Sequence, residues 1–338
     1  MTQLTLCMPS NRDLRNSASA IETALIYAQK RSCRLIVSDN SRDPEKQAYY
    51  ENSSPYLTYV VPDSDGALQN MAHALSRVET PFVMPMGDDD EIYGLDDRLA
   101  FDFAALPEDV IGVRPQTSIW SIGMGVHRTD RFSITADDAG GRILEYNQKA
   151  AGNNALYYSF YRSGLFKNLF SLFAEAHPTH GGYCDWALSF ALCAAGKFLH
   201  DPSTIYRYDL GRWASTEGIE AANSSLYRQA GLPDTAERFS SLLRFIDTHV
   251  FLINMPLSDG QRQNAQMTNA RIALRSFLRE VANAPDQYDP EVVYLAELIG
   301  ETPDLTSAFQ MSLLITDRLQ EGLAARYVRF VQAAGGQI

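Results

Sequence analysis

"LTLCMPSNRDLRNSASAIETALIYAQKRSCRLIVSDNS", residues Leu4 to Ser41, is the stretch on which the fold turns. LTLCMP is a short apolar run, and Pro9 is expected to stop it as a strand. Leu14, Ala18, Ile21, Leu25 and Ala28 then recur at helical spacing. CRLIVSDNS is rich in branched residues and closes on the turn formers Asp39, Asn40 and Ser41, which predicts a second strand. Moving outward, YLTYVVP supplies a third strand, GALQNMAHALSRV a helix and PFVMPM a fourth strand. Strands alternating with helices predict an α/β fold, a mainly parallel sheet flanked by helices on both faces. In such sheets ligands bind beyond the carboxyl ends of the strands.

The fourth strand runs straight into acids. FVMPMGDDDEIYG, residues Phe82 to Gly94, places Asp88, Asp89, Asp90 and Glu91 side by side, a costly cluster unless water or a cation offsets the repulsion. The polar strand ends Ser10 to Asp13, Asp39 to Ser41 and Asp88 to Asp90 are expected to share one edge of the sheet. One or two carboxylates completed by substrate phosphates are the usual way of holding Mg2+ or Mn2+ in phosphate chemistry.

With 338 residues, 45% of them hydrophobic and 11% aromatic, the chain has enough apolar material for one large or two ordinary folded domains. A formal charge of −12 argues against nucleic acid as a partner, because a phosphate backbone is held by many Lys and Arg contacts. Cys7, Cys33, Cys184 and Cys193 form no CxxC pair and read as buried thiols in a reducing compartment. No apolar run approaches the roughly 18 residues of a membrane span, and no secretory signal is visible. These features predict a cytoplasmic protein without a transmembrane segment.

The order LTLCMPSNR, RLIVSDNS, GALQN, FVMPMGDDD resembles the nucleotide-sugar-binding half of the GT-A glycosyltransferases, in particular family 2. The resemblance is close over roughly the first 100 residues and looser to about Asp209. It implies a Rossmann-like GT-A domain over residues 1–222, with a donor half (1–100) and an acceptor half (101–222). It also implies a nucleoside diphosphate sugar as donor, with UDP as its nucleotide, and a carbohydrate or glycolipid acceptor in polysaccharide or glycoconjugate assembly. Pro9, Ser10, Asn11 and Arg12 match the donor loop. Asp39 matches the acid that contacts the base or ribose, and its alternative is a turn Asp. Asn70 matches a helix residue near the site, and a helix-surface Asn explains it equally well. Asp88 and Asp90 match the DxD metal pair, with Asp90 the direct ligand of Mn2+ or Mg2+ and Asp88 nearer the ribose or the ion. Asp89 faces the sugar or the helix behind. The chain departs from the family at the first loop, which lacks an aromatic residue, and in having no evident third metal ligand. His177 and His180 of HPTH are separated by Pro178, which spoils a helical pair.

In the acceptor half, NNALYYSFYRSGLF (Asn153 to Phe166) alternates like a strand and ends on Arg162 and Gly164. Its Tyr157, Tyr158 and Tyr161 suit either sugar stacking or a core. Gly181 and Gly182 precede DWALSFALCAAG, a buried helix ended by Gly196, so Asp185 stands at a helix start. There it is an N-cap or, by the resemblance, the general base that takes the acceptor's proton during in-line, inverting attack. The first acid of the family's pair is replaced by Cys184. Tyr158 and Trp186 are the expected acceptor contacts. Arg207 and Arg212, in and after a strand at IYRYD, are candidates for diphosphate contact or surface salt bridges. GMGVHR, Gly123 to Arg128, is one glycine short of a dinucleotide loop.

From about Asn223 strand runs cease and helical periodicity takes over, predicting an appended helical region over 223–338 that packs on the catalytic domain or forms a homo-oligomer. Arg318, Arg326 and Arg329 among apolar residues are compatible with peripheral contact at the inner face of a membrane. Three functions stay open at this point. They are an inverting, metal-dependent hexosyltransferase, a nucleotidyltransferase, for whose basic triphosphate loop only Arg12 is available, and a non-catalytic nucleotide- or sugar-binding scaffold.

Overall fold

The computed structural model describes residues 2–211 and 215–337. Arg212 lies outside the described residues. By contacts the chain divides into two units, one of residues 1–135, 155–174 and 196–214 and the other of 136–154, 175–195 and 215–338. Segments 136–154 and 175–195 thus group with the C-terminal helices.

The first unit carries the sheet. Its strands are β1 (Leu4–Ser10), β2 (Arg34–Asp39), β3 (Leu57–Val60), β4 (Phe82–Pro85), β5 (Glu91–Gly94), β6 (Val110–Ser121), β7 (Gly125–Asp130), β8 (Phe160–Arg162) and β9 (Lys197–Asp209). They lie in the order β3-β2-β1-β4-β8-β6-β9-β5, with β7 paired to β6. The N-terminal half, β3-β2-β1-β4, is parallel throughout. Beyond it the sheet is mixed: β8 is antiparallel to β4 and β6, and β9 is parallel to β6. This is the expected α/β class, a GT-A-like architecture with an appended helical region.

Helices α1 (Leu14–Arg31), α2 (Pro44–Tyr50), α3 (Ala67–Ser76) and most of α5 (Ser163–Ala176) belong to this unit. Asp13 caps α1 by accepting from Asn16 N–H, and Ser32 closes it in the left-handed region at φ 50°. The buried face of α1 is Ser17, Ala20, Ile21, Ala24, Tyr27 and Ala28. The expected Leu14, Ala18 and Leu25 are only partly buried, because small Ala residues are what face inward, with Tyr27 bonding Thr204 at 3.0 Å. Pro9 does not stop β1. Cys7 O accepts from Met86 N on the β4 side, and pairing with β4 ends at Cys7, so two residues on the missing N–H of Pro9 removes no ladder bond. The segment 153–166 is a strand only at Phe160–Arg162. Ala155–Tyr157 is a 3-10 turn, and the Tyr161 hydroxyl bonds back to Leu156 O, which ends the alternation early.

The second unit holds α4 (Ala139–Ala150), α6 (Asp185–Ala195), α7 (Thr216–Gln229), α8 (Ser240–Asn254), α9 (Asp259–Asn269), α10 (Arg275–Asn283), α11 (Pro290–Glu301), α12 (Leu305–Leu319) and α13 (Leu323–Ala333). A π turn at Ala270–Leu274 joins α9 to α10. α8 is its centre, buried almost along its whole length, and α6 packs on it. No described helix is long and apolar enough to cross a membrane.

Candidate functional site

The register Ser10↔Asp39 across β1 and β2, with β4 alongside, brings three polar strand ends to one edge. Asp88, just past β4, is wrapped by the loop that leaves β1. Its Oδ2 accepts from Ser10 Oγ at 2.7 Å, Asn11 N–H at 3.1 Å and Arg12 N–H at 3.2 Å, and its Oδ1 accepts from Arg12 Nε at 3.1 Å. Three donors crowd Oδ2 and one takes Oδ1, which keeps one acceptor position. Arg12 also reaches Asp89 Oδ2 at 2.6 Å. Burial works against the Arg12 charge, but Asp89 and Asp88 outweigh it and hold the guanidinium above its ordinary pKa.

Asp39 is saturated. Lys46 Nζ (3.0 Å) and Ser41 N–H (3.1 Å) donate to Oδ1, and Ser41 Oγ and Tyr59 OH donate to Oδ2. The carboxylate is 2% exposed, so it orders its neighbours and has no acceptor position left for a ligand. Lys46, fully buried, continues to Ser10 Oγ at 2.6 Å and Arg12 O at 2.8 Å, tying the Asp39 end to the Asp88 loop. Asn70, on α3, donates to Ser10 O and Asn40 Oδ1, both at 3.1 Å. Its buried Oδ1 has no hydrogen-bond partner in the protein. The helix-surface alternative for Asn70 therefore fails, since the residue is 1% exposed.

Asp90 behaves differently from Asp88. It is buried, and accepts only from Tyr206 OH at 2.6 Å and Asp209 N–H at 2.8 Å, so acceptor positions remain on both oxygens. Burial first, then the Asp89 charge, pushes its pKa up to about 8. Asp89, exposed, is also raised, by loss of water and by Asp88 and Asp209 against the pull of Arg12. Asp209 at the end of β9 thus adds a further acid to the group. Gly87 is needed here: a Cβ would come within 2.7 Å of Asp89 Oδ1 and 2.9 Å of Asp90 Oδ2. Tyr158 stacks on Tyr206 with ring centroids 5.0 Å apart and leans on Tyr208, placing an aromatic layer beside Asp89 and Asp90. Tyr157 packs on Phe166, and Tyr161 is core. Arg207 is committed elsewhere, to Glu91 at 2.7 Å and to the Trp120 face at 3.4 Å.

Asp89, Asp90 and Asp209 are hard oxygen donors of the kind that hold a divalent cation with phosphate oxygens, but among the described residues their oxygens do not converge as a metal set would, and Asp89 is already paired with Arg12. Asp88 Oδ2 does not suit direct ligation, because Ser10 and two backbone N–H groups already hold it, and Oδ1 is shared with Arg12 Nε.

In the second unit, Asp185 opens α6 and is partly exposed. Its Oδ1 accepts from the N–H of the next residue, Trp186, at 2.6 Å, so it is not bonded to the third helical N–H as a cap would be. Loss of water lifts its pKa to about 6, while the Asn154 amide, the Trp186 N–H and the Arg244 charge pull the other way. Trp186 sits in an aromatic group with Tyr146 and Phe190, at centroid distances of 5.8 and 6.0 Å. His177, Cys184 and Asp247 are the described residues whose ligand atoms converge as a metal set would. Their hydrogen bonds argue otherwise. His177 Nδ1 accepts backbone N–H from His180 (3.0 Å) and Thr179 (3.3 Å), so the ring proton is on Nε2, facing Asp247 at 3.1 Å, with no lone pair there for a metal.

The chain is similar in fold to S. aureus TarS. The crystal structure of TarS 1-349 superposes with a TM-score of 0.50 at 14% identity, over 99% of this chain and 92% of that one. The same TarS segment in complex with UDP and with UDP-GlcNAc also gives TM-scores of 0.50, each at 16% identity, over 99% of this chain and 92% and 93% of those. At these identities the likeness is one of fold. No protein-family model and no curated protein matches the sequence.

A cavity of about 290 Å³ lies at the opposite edge of the sheet, near the start of β1, between Tyr27, Arg31, Phe101 and Asp201. It has no part in the acid cluster. Lys46, Tyr59, Tyr206 and Asp209 were not expected from sequence. "RDPE" before Lys46 did carry a signal, since Asp43 caps α2 and Pro44 is its first residue. The other three come into place through strand pairing.

Proposed function

We propose that this chain is an inverting, metal-dependent glycosyltransferase of the GT-A kind that moves a sugar from a UDP-sugar to a carbohydrate acceptor. The observation that carries the reading is the edge built by Ser10–Arg12, Asp88–Asp90 and Asp209, where one carboxyl retains acceptor positions and a pKa of about 8. It is supported by the shared fold with TarS, of which UDP and UDP-GlcNAc complexes are known. Asp90 would hold Mn2+ or Mg2+, helped by Asp209 and Asp89, and the ion would supply positive charge to the departing diphosphate. Arg12 stands at the same edge, where its guanidinium suits phosphate oxygens. Asn70 Oδ1, buried and without a partner in the protein, would accept one donor from the nucleotide, while Asp39 and Lys46 keep the loop in shape.

Asp185 is the proposed base. With a pKa near 6 it is ionised at neutral pH yet basic enough to take the acceptor hydroxyl's proton, which is the balance general-base catalysis needs. With Mn2+ and donor saturating at every pH, transfer should therefore rise with pH through about 6 and level off above it. Asp185→Asn should lower the transfer rate by about 10²- to 10⁴-fold. Its melting temperature and UDP affinity should stay near those of the parent. Titration calorimetry with UDP and UDP-GlcNAc, with and without Mn2+, tests the donor half of the reading. No heat with either ligand would remove it, and unimpaired transfer by Asp185→Asn would remove the base.

A further inference from the structure

The hairpin of β6 and β7 ends in a turn whose side chains face open solvent. Ile122 is 84% exposed, Met124 64% and Val126 61%. Gly123 and Gly125, both at positive φ, have no described atom within 4 Å of where a Cβ would stand, so no described residue covers them. The ribbon is anchored just before its turn, where Trp120 pairs with Asp209 and lies under Arg207. Asp209 N–H in turn bonds Asp90. Val126 pairs with Trp120 itself, and Ile122 and Met124 follow it by two and four residues, so the apolar tip lies on the order of 10 Å from the acid cluster at strand spacing.

We infer that this tip inserts into the headgroup layer of a lipid bilayer and holds the acid-bearing edge at the membrane surface. Three large apolar side chains on a narrow convex turn present on the order of a few hundred Å², short of the roughly 800 Å² per partner that a stable protein interface buries. The same shape suits a wedge between lipid headgroups, where affinity scales with the apolar area inserted. The charge pattern agrees: residues 115–129 contain no Asp or Glu in a chain of net charge −12, and the ribbon's one acid, Asp130, lies at the far end of β7, where it pairs with Arg128 and Arg114. An acid-free tip is what lets an acidic protein approach an anionic surface. The consequence for substrate, which rests on the proposed function, is that the acceptor carbohydrate is linked to a lipid and is presented from that surface.

The test is sedimentation of the full chain with vesicles of phosphatidylcholine, alone and mixed in equal parts with phosphatidylglycerol. It compares the parent with the Ile122→Ser, Met124→Ser, Val126→Ser triple variant. Both proteins should melt alike, since the replaced side chains touch solvent. The parent should pellet with vesicles, more so with phosphatidylglycerol, and the variant should partition at least about tenfold less. Failure of the parent to bind either vesicle, or equal binding by the variant, overturns the inference. So does a parent that dimerises in solution where the variant is monomeric, because the tip would then be a protein contact. UDP affinity measured without vesicles keeps the two readings apart, since losing vesicle binding leaves the donor site standing and the reverse is also true.

Discussion

Two polar clusters in this molecule use similar groups in opposite ways. In the helical unit, Asp247 accepts from His177 Nε2 (3.1 Å), Tyr327 OH (2.8 Å) and Cys184 Sγ (3.5 Å), all fully or almost fully buried. Oδ1 takes two donors and Oδ2 the thiol, so both oxygens are held by groups of the chain itself. The Cys184 thiol is pushed well up, by burial and then by Asp247, and is no nucleophile. At the sheet edge the balance is left open: Arg12 pairs with Asp88 and Asp89, while Asp90, buried beside them, is raised by loss of water and by the Asp89 charge. A cluster closed on itself specifies structure, whereas one with unrelieved charge has something to gain from a ligand. Convergence of ligand-type atoms does not separate the two; satisfaction does.

The largest expected effect lies in the closed cluster. Asp247→Ala leaves a histidine N–H, a tyrosine hydroxyl and a thiol buried without an acceptor, which should cost about 3 to 5 kcal/mol of stability by urea unfolding. A loss under about 1 kcal/mol would mean that the network is not fully formed in solution, and the contrast would weaken.

The open cluster should respond with the opposite sign. Asp90 has a folded pKa of about 8, above the ordinary carboxylate range, so between that range and about pH 8 the native state holds a proton that the unfolded chain has lost. Stability contributed by this group therefore falls as pH rises across that window. Asp90→Asn removes the fall. At pH 8 it should stabilise the protein by roughly 1 to 3 kcal/mol while abolishing any gain in UDP affinity from Mn2+, and near pH 4 the parent and variant should melt alike. A destabilised variant at pH 8 would show that Asp90 is as closed a group as Asp247.

The parallel half of the fold was legible in the sequence because Leu4–Ser10, Arg34–Asp39, Leu57–Val60 and Phe82–Pro85 are each local apolar runs with their own stops. The convergence of Ser10, Asp39 and Asp88 followed from parallel register alone. The mixed half was not legible. β6 alternates polar and apolar residues toward its end and carries Arg114 and Pro115 inside it, and β8 is only three residues long, so both owe their form to neighbours far along the chain. For the same reason Tyr206 and Asp209, which arrive by pairing of β9 with β5 and β6, gave no local sign of sharing a site with Asp90. Lys46 was hidden by type, since a lysine in a seven-residue helix ordinarily faces water and here is sealed between Asp39 and Ser10.

The finest test of the comparison is the hydroxyl between the aromatic layer and the acid. Tyr206 OH donates to Asp90 Oδ2 and favours its charged form, opposing burial and the charge of Asp89. Tyr206→Phe keeps the ring that stacks on Tyr158, so packing should survive and only the hydrogen bond is lost. A net hydrogen bond to a charged group contributes on the order of 1 kcal/mol, which corresponds to somewhat less than one unit of pKa. Because a cation competes with the proton for Asp90, Mn2+-assisted UDP binding should strengthen as pH rises toward 8 in the parent. In Tyr206→Phe the midpoint of that rise should move upward by roughly half a unit to one unit, with affinity unchanged once pH is well above it. Calorimetric titrations at a series of pH values would resolve the displacement. An unmoved midpoint would place the titration on Asp89 and take from Asp90 the role that its remaining acceptor positions suggest.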